Sequence, residues 1–126
     1  MTQLILHLFS DFVMQSDWMA AHKSKRSWPC FVHCLTYTLP FLFLTRSWAA
    51  LAVIFGTHFL IDRFRLPRYV NWAKNHLAPW GYYEHWKGCS AFGYSTAKDP
   101  QVAFVLYLAT DACLHLACNW CALKWL

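Results

Sequence analysis

The placement of long apolar segments constrains the fold more than any other feature of this 126-residue sequence. Four apolar segments can be drawn, at residues 3–21, 28–45, 48–64 and 102–123. Each is about 17–22 residues long, the length of α-helix that crosses a hydrocarbon core of about 30 Å. Charged residues make up only 13% of the chain, whereas soluble domains carry about 25%. The sequence therefore predicts an all-α fold, a polytopic transmembrane four-helix bundle in one domain, residues 1–126. The alternative is a very hydrophobic soluble helical bundle that forms oligomers.

Several helix boundaries carry chemical signals. Asp99 followed by Pro100 predicts the start of the last helix, because Asp is a good N-cap and Pro suits the first helical position. Ser47 can cap the third helix in the same way. Pro40 lies inside the second segment and predicts a kink there.

A polar loop, residues 65–99, separates the third and fourth segments, and residues 67–77 within it have the pattern of an amphipathic helix at the membrane interface. Of the 11 basic residues, three lie in the first loop and six in or beside the third. The positive-inside rule then places this loop in the cytoplasm and both termini in the periplasm. We expect a multi-pass protein of the bacterial inner membrane. Membrane lipids are the expected partners, and the net charge of +5 is attributed to topology rather than to nucleic-acid binding.

The ionisable residues inside the apolar segments form a repeated pattern. His7 precedes Asp11 by four residues, His58 precedes Asp62 by four, and Asp111 precedes the next histidine by four. Residues i and i+4 lie on one face of a helix, so each helix presents a histidine and an aspartate in one direction. The second segment adds one further histidine.

A charged aspartate near the bilayer centre costs about 2.5–3.5 kcal/mol, so three of them need compensation. A divalent metal supplies it, because neutral imidazole and carboxylate are its ligands. We expect one or two ions, zinc or manganese, with Asp11, Asp62 and Asp111 also as catalytic acids or bases. A structural hydrogen-bond network and a proton or ion relay are the alternatives. The candidate ligands are His7, Asp11, His33, His58, Asp62, Asp111 and His115.

A second group of polar residues has positions that suit orientation of the ligands or a place at the edge of the site. For two of them, Lys23 and Arg63, the competing interpretation is a topology anchor whose charge reaches the lipid headgroups. The group consists of Gln15, Asp17, Lys23, Tyr37, Arg63 and Asn119.

The run from His7 through Asp11-Phe to Gln15, with Asp17 and Lys23 after it, resembles an uncharacterised family of small integral membrane proteins of bacteria and their phages. That family carries an H-x3-D-F-x2-Q signature, and this chain matches its later blocks in order. The resemblance covers nearly the whole chain. The family is similar in pattern to inner-membrane proteins described as metal-dependent hydrolases, and it implies a phage or prophage origin. The later blocks are His33 with Tyr37, His58 to Arg63, and Asp111 to Asn119.

Together these features predict a membrane-embedded, metal-dependent hydrolase that acts on a lipid headgroup or another membrane-associated ester or phosphoester. The alternative is a non-enzymatic phage or prophage membrane accessory protein that uses the histidine and aspartate residues structurally or as an ion or proton relay. A homo-oligomer is compatible with the sequence, which leaves the oligomeric state open.

Overall fold

The computed structural model describes residues 1–78 and 84–126, and this part of the chain is helical. It has no β-strand, only an isolated bridge between Cys89 and Ser95. The all-α prediction is confirmed for these residues. Six α-helices occur in them: α1 Thr2–Leu8, α2 Asp17–His22, α3 Ser27–Thr38, α4 Trp48–Phe64, α5 Leu66–Asn75 and α6 Pro100–Trp125. A π-helical turn, Phe9–Val13, follows α1, and 3₁₀ turns occupy Leu39–Phe43 and Trp86–Gly88.

The predicted helix boundaries are confirmed where a capping residue marks them. Asp99 Oδ1 accepts hydrogen bonds from the backbone N–H groups of Gln101, at 2.8 Å, and Val102, at 3.1 Å. Ser47 Oγ accepts one from the N–H of Ala50, at 3.3 Å. At Pro40 the α-helix gives way to the 3₁₀ turn, because proline has no N–H to continue the α-helical ladder.

The first predicted segment, residues 3–21, is not one helix. Its helical run ends at Val13, and a new helix starts at Asp17 with Ser16 as the N-cap, whose Oγ accepts from the N–H of Met19 at 3.4 Å. The capping group therefore decides the structure here, although apolar residues continue past it. The run from Thr2 to Val13 is about 18 Å long at 1.5 Å per residue, which is shorter than a hydrocarbon core.

The described residues divide into two compact units. The first comprises Met1–Phe64 and His115–Leu126, and the second comprises Arg65–Leu114. The prediction of a single domain stays a prediction. The apolar core of the first unit is formed by Tyr37, Phe41, Ala50, Leu51, Ile54 and Ala122.

In the second unit, helix α5 holds the chain around residues 92–94. The buried Asn71 donates from Nδ2 to the carbonyl of Phe92, at 3.1 Å, and its Oδ1 accepts from the hydroxyl of Tyr94, at 3.2 Å. Gly93 has a φ of +81°, and a Cβ atom there would overlap the backbone oxygen of Arg68. The predicted loop helix is thus present as α5. Part of the predicted cytoplasmic loop, residues 79–83, lies outside the described residues.

One of the described helices, Pro100–Trp125, is long and apolar enough to cross a membrane by length and composition. It has 26 residues, about 39 Å of helix at 1.5 Å per residue.

Candidate metal centre

Three neighbouring elements of the first unit bring two aspartates and two histidines together. Asp11 lies in the π-helical turn, a kind of distortion that is frequent at functional sites. His33 lies on α3, and His58 and Asp62 lie one turn apart on α4. All four side chains are buried, and one potential ligand atom of each lies within 4.8 Å of the others.

The four ligand atoms surround a small volume. His33 Nε2 is 3.2 Å from Asp11 Oδ1 and 3.2 Å from Asp62 Oδ2. It is 3.0 Å from His58 Nε2, which in turn is 3.3 Å from Asp62 Oδ2. Ligands of a tetrahedral ion with bonds of about 2.0–2.1 Å are separated by about 3.3 Å. These four of the six ligand–ligand distances therefore match the edges of a tetrahedral coordination shell, and the other two are within 4.8 Å.

Lys23 brings a positive charge into the same cluster. Its Nζ is 2.9 Å from Asp62 Oδ2 and 3.4 Å from Asp11 Oδ1. The same atom is 3.3 Å from His33 Nε2. Two alternative roles were predicted for this lysine, one at the edge of the site and one as a topology anchor, and its ammonium group lies among the ligand atoms. Helical spacing does not relate Lys23 to either aspartate, so only the family resemblance and its place at the edge of the apolar segment pointed to it.

His115 contacts the cluster from α6, where its Nε2 lies 3.3 Å from Asp62 Oδ1. Asp62 is therefore approached on both of its oxygens. Asp111 precedes His115 by one turn on the same helix but belongs to the second unit, where it is half-buried. Its roles as ligand and catalytic residue stay predictions.

His7 is linked to a tyrosine rather than to the carboxylates. Its Nδ1 is 2.8 Å from the hydroxyl of Tyr37, which also accepts a hydrogen bond of 2.7 Å from Asn119 Nδ2. The direction of the hydrogen bond between Tyr37 and His7 Nδ1 depends on the tautomer of His7. The ring of Tyr37 stacks on His58, with 3.6 Å between centroids. Tyr37 and Asn119 thus orient two histidines, while ligation by His7 stays a prediction.

The remaining residues predicted to lie around the ligands differ in position. Arg63 donates from Nη1 to the carbonyl of Ser24, at 3.0 Å, and from Nε to Ser27 Oγ, at 3.3 Å. It therefore holds the turn that follows Lys23. Gln15 is half-buried, and Asp17 is exposed at the start of α2.

These observations define an all-helical protein with a buried cluster of histidine, aspartate and lysine side chains. The chain belongs to the DUF3307 family, a family of proteins of unknown function, which matches residues 1–118. No curated protein and no solved structure matches the chain. The matched residues include every member of the cluster. The H-x3-D-F-x2-Q signature and the similarity to metal-dependent hydrolases stay predictions.

Proposed function

We propose that the cluster binds a divalent metal ion, and that the chain is a membrane-embedded metal-dependent hydrolase of a membrane-associated ester or phosphoester. The observation that carries this proposal is the crowding around His33 Nε2. That atom has four polar neighbours within 3.3 Å, on Asp11, Asp62, His58 and Lys23.

Hydrogen bonding alone accounts poorly for this crowding. An imidazole nitrogen carries either one proton or one lone pair, so Nε2 of His33 can satisfy one partner well. The Nδ1 atoms of His33 and His58 are buried and have no hydrogen-bond partner among the described residues. A cation that is coordinated by each Nε2 and by one oxygen of each carboxylate satisfies all four groups at once.

The chemistry of these ligands favours zinc or manganese, since imidazole and carboxylate together suit both metals. The four ligand atoms correspond to one ion. When bound, such an ion supplies an activated water molecule at neutral pH. Asp11, His33, His58 and Asp62 would hold the ion, and the water would enter in place of one carboxylate, because a catalytic site keeps one position open. As the water oxygen bonds to the phosphorus or carbonyl carbon and the bond to the leaving oxygen breaks, that carboxylate would carry the proton from the water to the leaving oxygen, which would yield an alcohol and an acid.

Membrane embedding is supported by large apolar side chains on the surface and polar side chains in the interior. Large apolar side chains such as Leu35, Val53 and Val105 are exposed. A water-soluble protein buries such groups, whereas a membrane protein turns them to lipid and keeps polar groups inside. The buried polar side chains are His7, Ser10, Asp11, His33, His58, Asp62, Asn71, His115 and Asn119.

The proposed topology has four crossings. The helical run from Ser27 to Phe43 and helix α4 each have about 17 residues, at the short end of the range for membrane helices. The first crossing is a broken helix, which membranes tolerate where the irregular backbone lines a polar interior. Both termini then lie in the periplasm.

The second candidate function is the non-enzymatic accessory protein, and the position of Lys23 favours it. An ammonium group 2.9 Å from Asp62 can offset a buried carboxylate without any metal. The same cluster would then serve as a structural network or as a relay for protons or ions.

The metal content of the wild-type protein tests the proposal. Protein purified in a non-ionic detergent without chelator should retain about one zinc or manganese ion per chain, because the four ligands fit one tetrahedral site. Elemental analysis gives the stoichiometry. Protein that holds no metal, and whose melting temperature does not respond to added zinc or manganese, would favour the accessory-protein alternative.

Reporter fusions test the topology. Alkaline phosphatase fused after Leu126 should be active, and the same enzyme inserted at Lys87 should be inactive, because the basic residues place that loop in the cytoplasm. A fusion at Arg46 should be active and serves as the control for the periplasmic side. If the fusions after Leu126 and at Lys87 are both inactive, helix α6 does not cross the membrane, which would contradict the four-crossing topology.

A further inference from the structure

We propose that Lys23 is the anion-binding residue of this centre, and that its substrate is an anionic phosphoester rather than an uncharged carboxylic ester. This inference rests on the proposed metal centre and narrows its substrate class. Lys23 Nζ lies 2.9 Å from Asp62 Oδ2, 3.3 Å from His33 Nε2 and 3.4 Å from Asp11 Oδ1.

Lys23 is the most accessible side chain of the cluster. Its side chain is 18% exposed, against 7% for Asp11, 3% for Asp62 and 0% for His33. The lysine therefore lies between the buried ligands and the surroundings of the protein. A molecule that reaches the ligands from that side meets the lysine side chain first.

The backbone at Lys23 is fixed while its side chain has four rotatable bonds. Its N–H donates to the carbonyl of Met19 at 2.8 Å, where α2 ends. The turn that follows is held by Arg63, which donates to Ser24 and Ser27. Because Arg63 directly follows Asp62 on α4, one helix fixes both the carboxylate and the segment that carries the lysine. The ammonium can therefore move by a few ångströms without a change of fold.

Charge determines which substrate suits such a centre. The carboxylates of Asp11 and Asp62 contribute −2, a divalent ion +2 and Lys23 +1, while neutral histidine ligands contribute nothing. The loaded centre therefore carries a net charge of about +1, which a phosphodiester monoanion neutralises. An uncharged ester leaves the ammonium in a buried site without a counter-charge, at a cost in desolvation.

The charge balance of the site also explains why Lys23 contacts the carboxylates in this structure. Two carboxylates this close to each other need a cation, and the lysine is the one the chain supplies. A divalent ion satisfies the same carboxylates more completely. The ammonium can then exchange a carboxylate oxygen for an oxygen of the phosphoryl group, for which lysine is a common ligand.

Phosphate binding by zinc-loaded protein tests the proposal. Full-length protein in a non-ionic detergent is saturated with zinc and titrated calorimetrically with inorganic phosphate. Lys23→Gln and Lys23→Met should each bind phosphate at least about tenfold more weakly than wild type, since a charge-assisted hydrogen bond is lost. Lys23→Arg keeps the charge and should stay within a few-fold of wild type. Lys25→Gln removes an exposed lysine of the same turn and should behave as wild type.

Zinc affinity, measured on the same proteins, separates this proposal from the proposed function. The neutral Lys23 variants should bind zinc as tightly as wild type or more tightly, because a competing cation is gone. Zinc binding in all variants with unchanged phosphate affinity would overturn the role of Lys23 alone. Zinc binding lost in the neutral variants would also overturn it, since Lys23 would then support the metal site itself. Absence of zinc binding in wild type would overturn the proposed function and this inference together.

A second titration distinguishes a lipid phosphate from a free one. Phosphatidylglycerol is added to the detergent micelles before inorganic phosphate. If the headgroup phosphate is the ligand, the lipid competes and lowers the affinity for inorganic phosphate in wild type but not in Lys23→Gln. If a water-soluble phosphoester is the ligand, the lipid has no effect and Lys23 still sets the phosphate affinity. Both results support an anion site at Lys23.

Discussion

Asp62→Asn is expected to weaken zinc binding by at least about 100-fold, more than the loss of an outer residue that only orients a ligand. Asp62 is in contact with four other side chains of the cluster. Its two oxygens lie within 3.3 Å of Lys23, His33, His58 and His115. Asparagine keeps the size and one oxygen but removes the charge, so the helix should still fold while the centre loses an anionic ligand.

The stability of Asp62→Asn distinguishes a metal site from a structural network. In metal-free protein the substitution removes one buried charge and leaves Lys23 near Asp11, 3.4 Å away, so the free energy of unfolding should fall by less than the about 3–5 kcal/mol that an unpaired buried charge costs. In zinc-loaded protein the wild type should gain stability from the bound ion, and the variant should not. Thermal melts with and without zinc measure both effects.

Asp17→Asn is the matched control for this experiment. It makes the same chemical change at an exposed aspartate six residues after Asp11. Zinc affinity should stay at the wild-type value, and the melting temperature should fall only slightly, because a first-turn carboxylate contributes about 0.3–1 kcal/mol to a helix. An Asp62→Asn protein that retains one zinc per chain at wild-type affinity would contradict the assignment of Asp62 as a ligand.

Much of this site could be predicted from helical periodicity. The four-residue spacing of His58 and Asp62 on one helix face requires only that residues 48–64 form a helix, and they do. Because the surrounding residues are apolar, such a pair is expected to face other polar groups. His58 does so, since its Nε2 lies 3.0 Å from His33 Nε2. Periodicity defines the face of a helix on which a residue lies. Because an unpaired buried charge is costly, the helix faces that carry histidine and aspartate are expected to pack against one another.

The position of Lys23 could not be predicted in this way. It lies outside any apolar segment, and a lysine at the end of a hydrophobic helix ordinarily extends to water or to lipid headgroups. Only the turn held by Arg63, together with the close approach of α4, brings its ammonium to Asp62. These are long-range contacts between segments about 40 residues apart, and local sequence does not encode them.

The break in the first segment had a local signal that the apolar pattern masked. Ser16 followed by Asp17 is a helix start, with a capping side chain and an acidic residue in the first turn. Apolar residues on both sides of this pair favour a continuous helix by composition alone. Ser16 Oγ accepts a hydrogen bond from the N–H of Met19. In a continuous helix this N–H would donate to a backbone carbonyl of the preceding turn instead. Capping and continuation compete here, and capping prevails.

Cys113→Arg should prevent correct insertion of α6 if that helix crosses a membrane. Cys113 is exposed and lies near the midpoint of Pro100–Trp125. An arginine at the centre of a membrane helix costs about 2.5–3.5 kcal/mol on insertion scales, which corresponds to a shift of about 100-fold in the insertion equilibrium. On the surface of a water-soluble protein the same exposed substitution changes stability by less than about 0.5 kcal/mol.

Two control variants separate charge at the membrane centre from other effects. Cys113→Met changes the size of the side chain without adding charge, and it should insert as wild type does. Gln101→Arg adds the same charge at an exposed position near the start of the helix, where an arginine reaches the headgroups. The amount of protein in carbonate-washed membranes, and its protection from external protease, report insertion for each variant. If Cys113→Arg matches wild type in both measurements, α6 does not lie in lipid, and the exposed apolar side chains must be covered by protein instead.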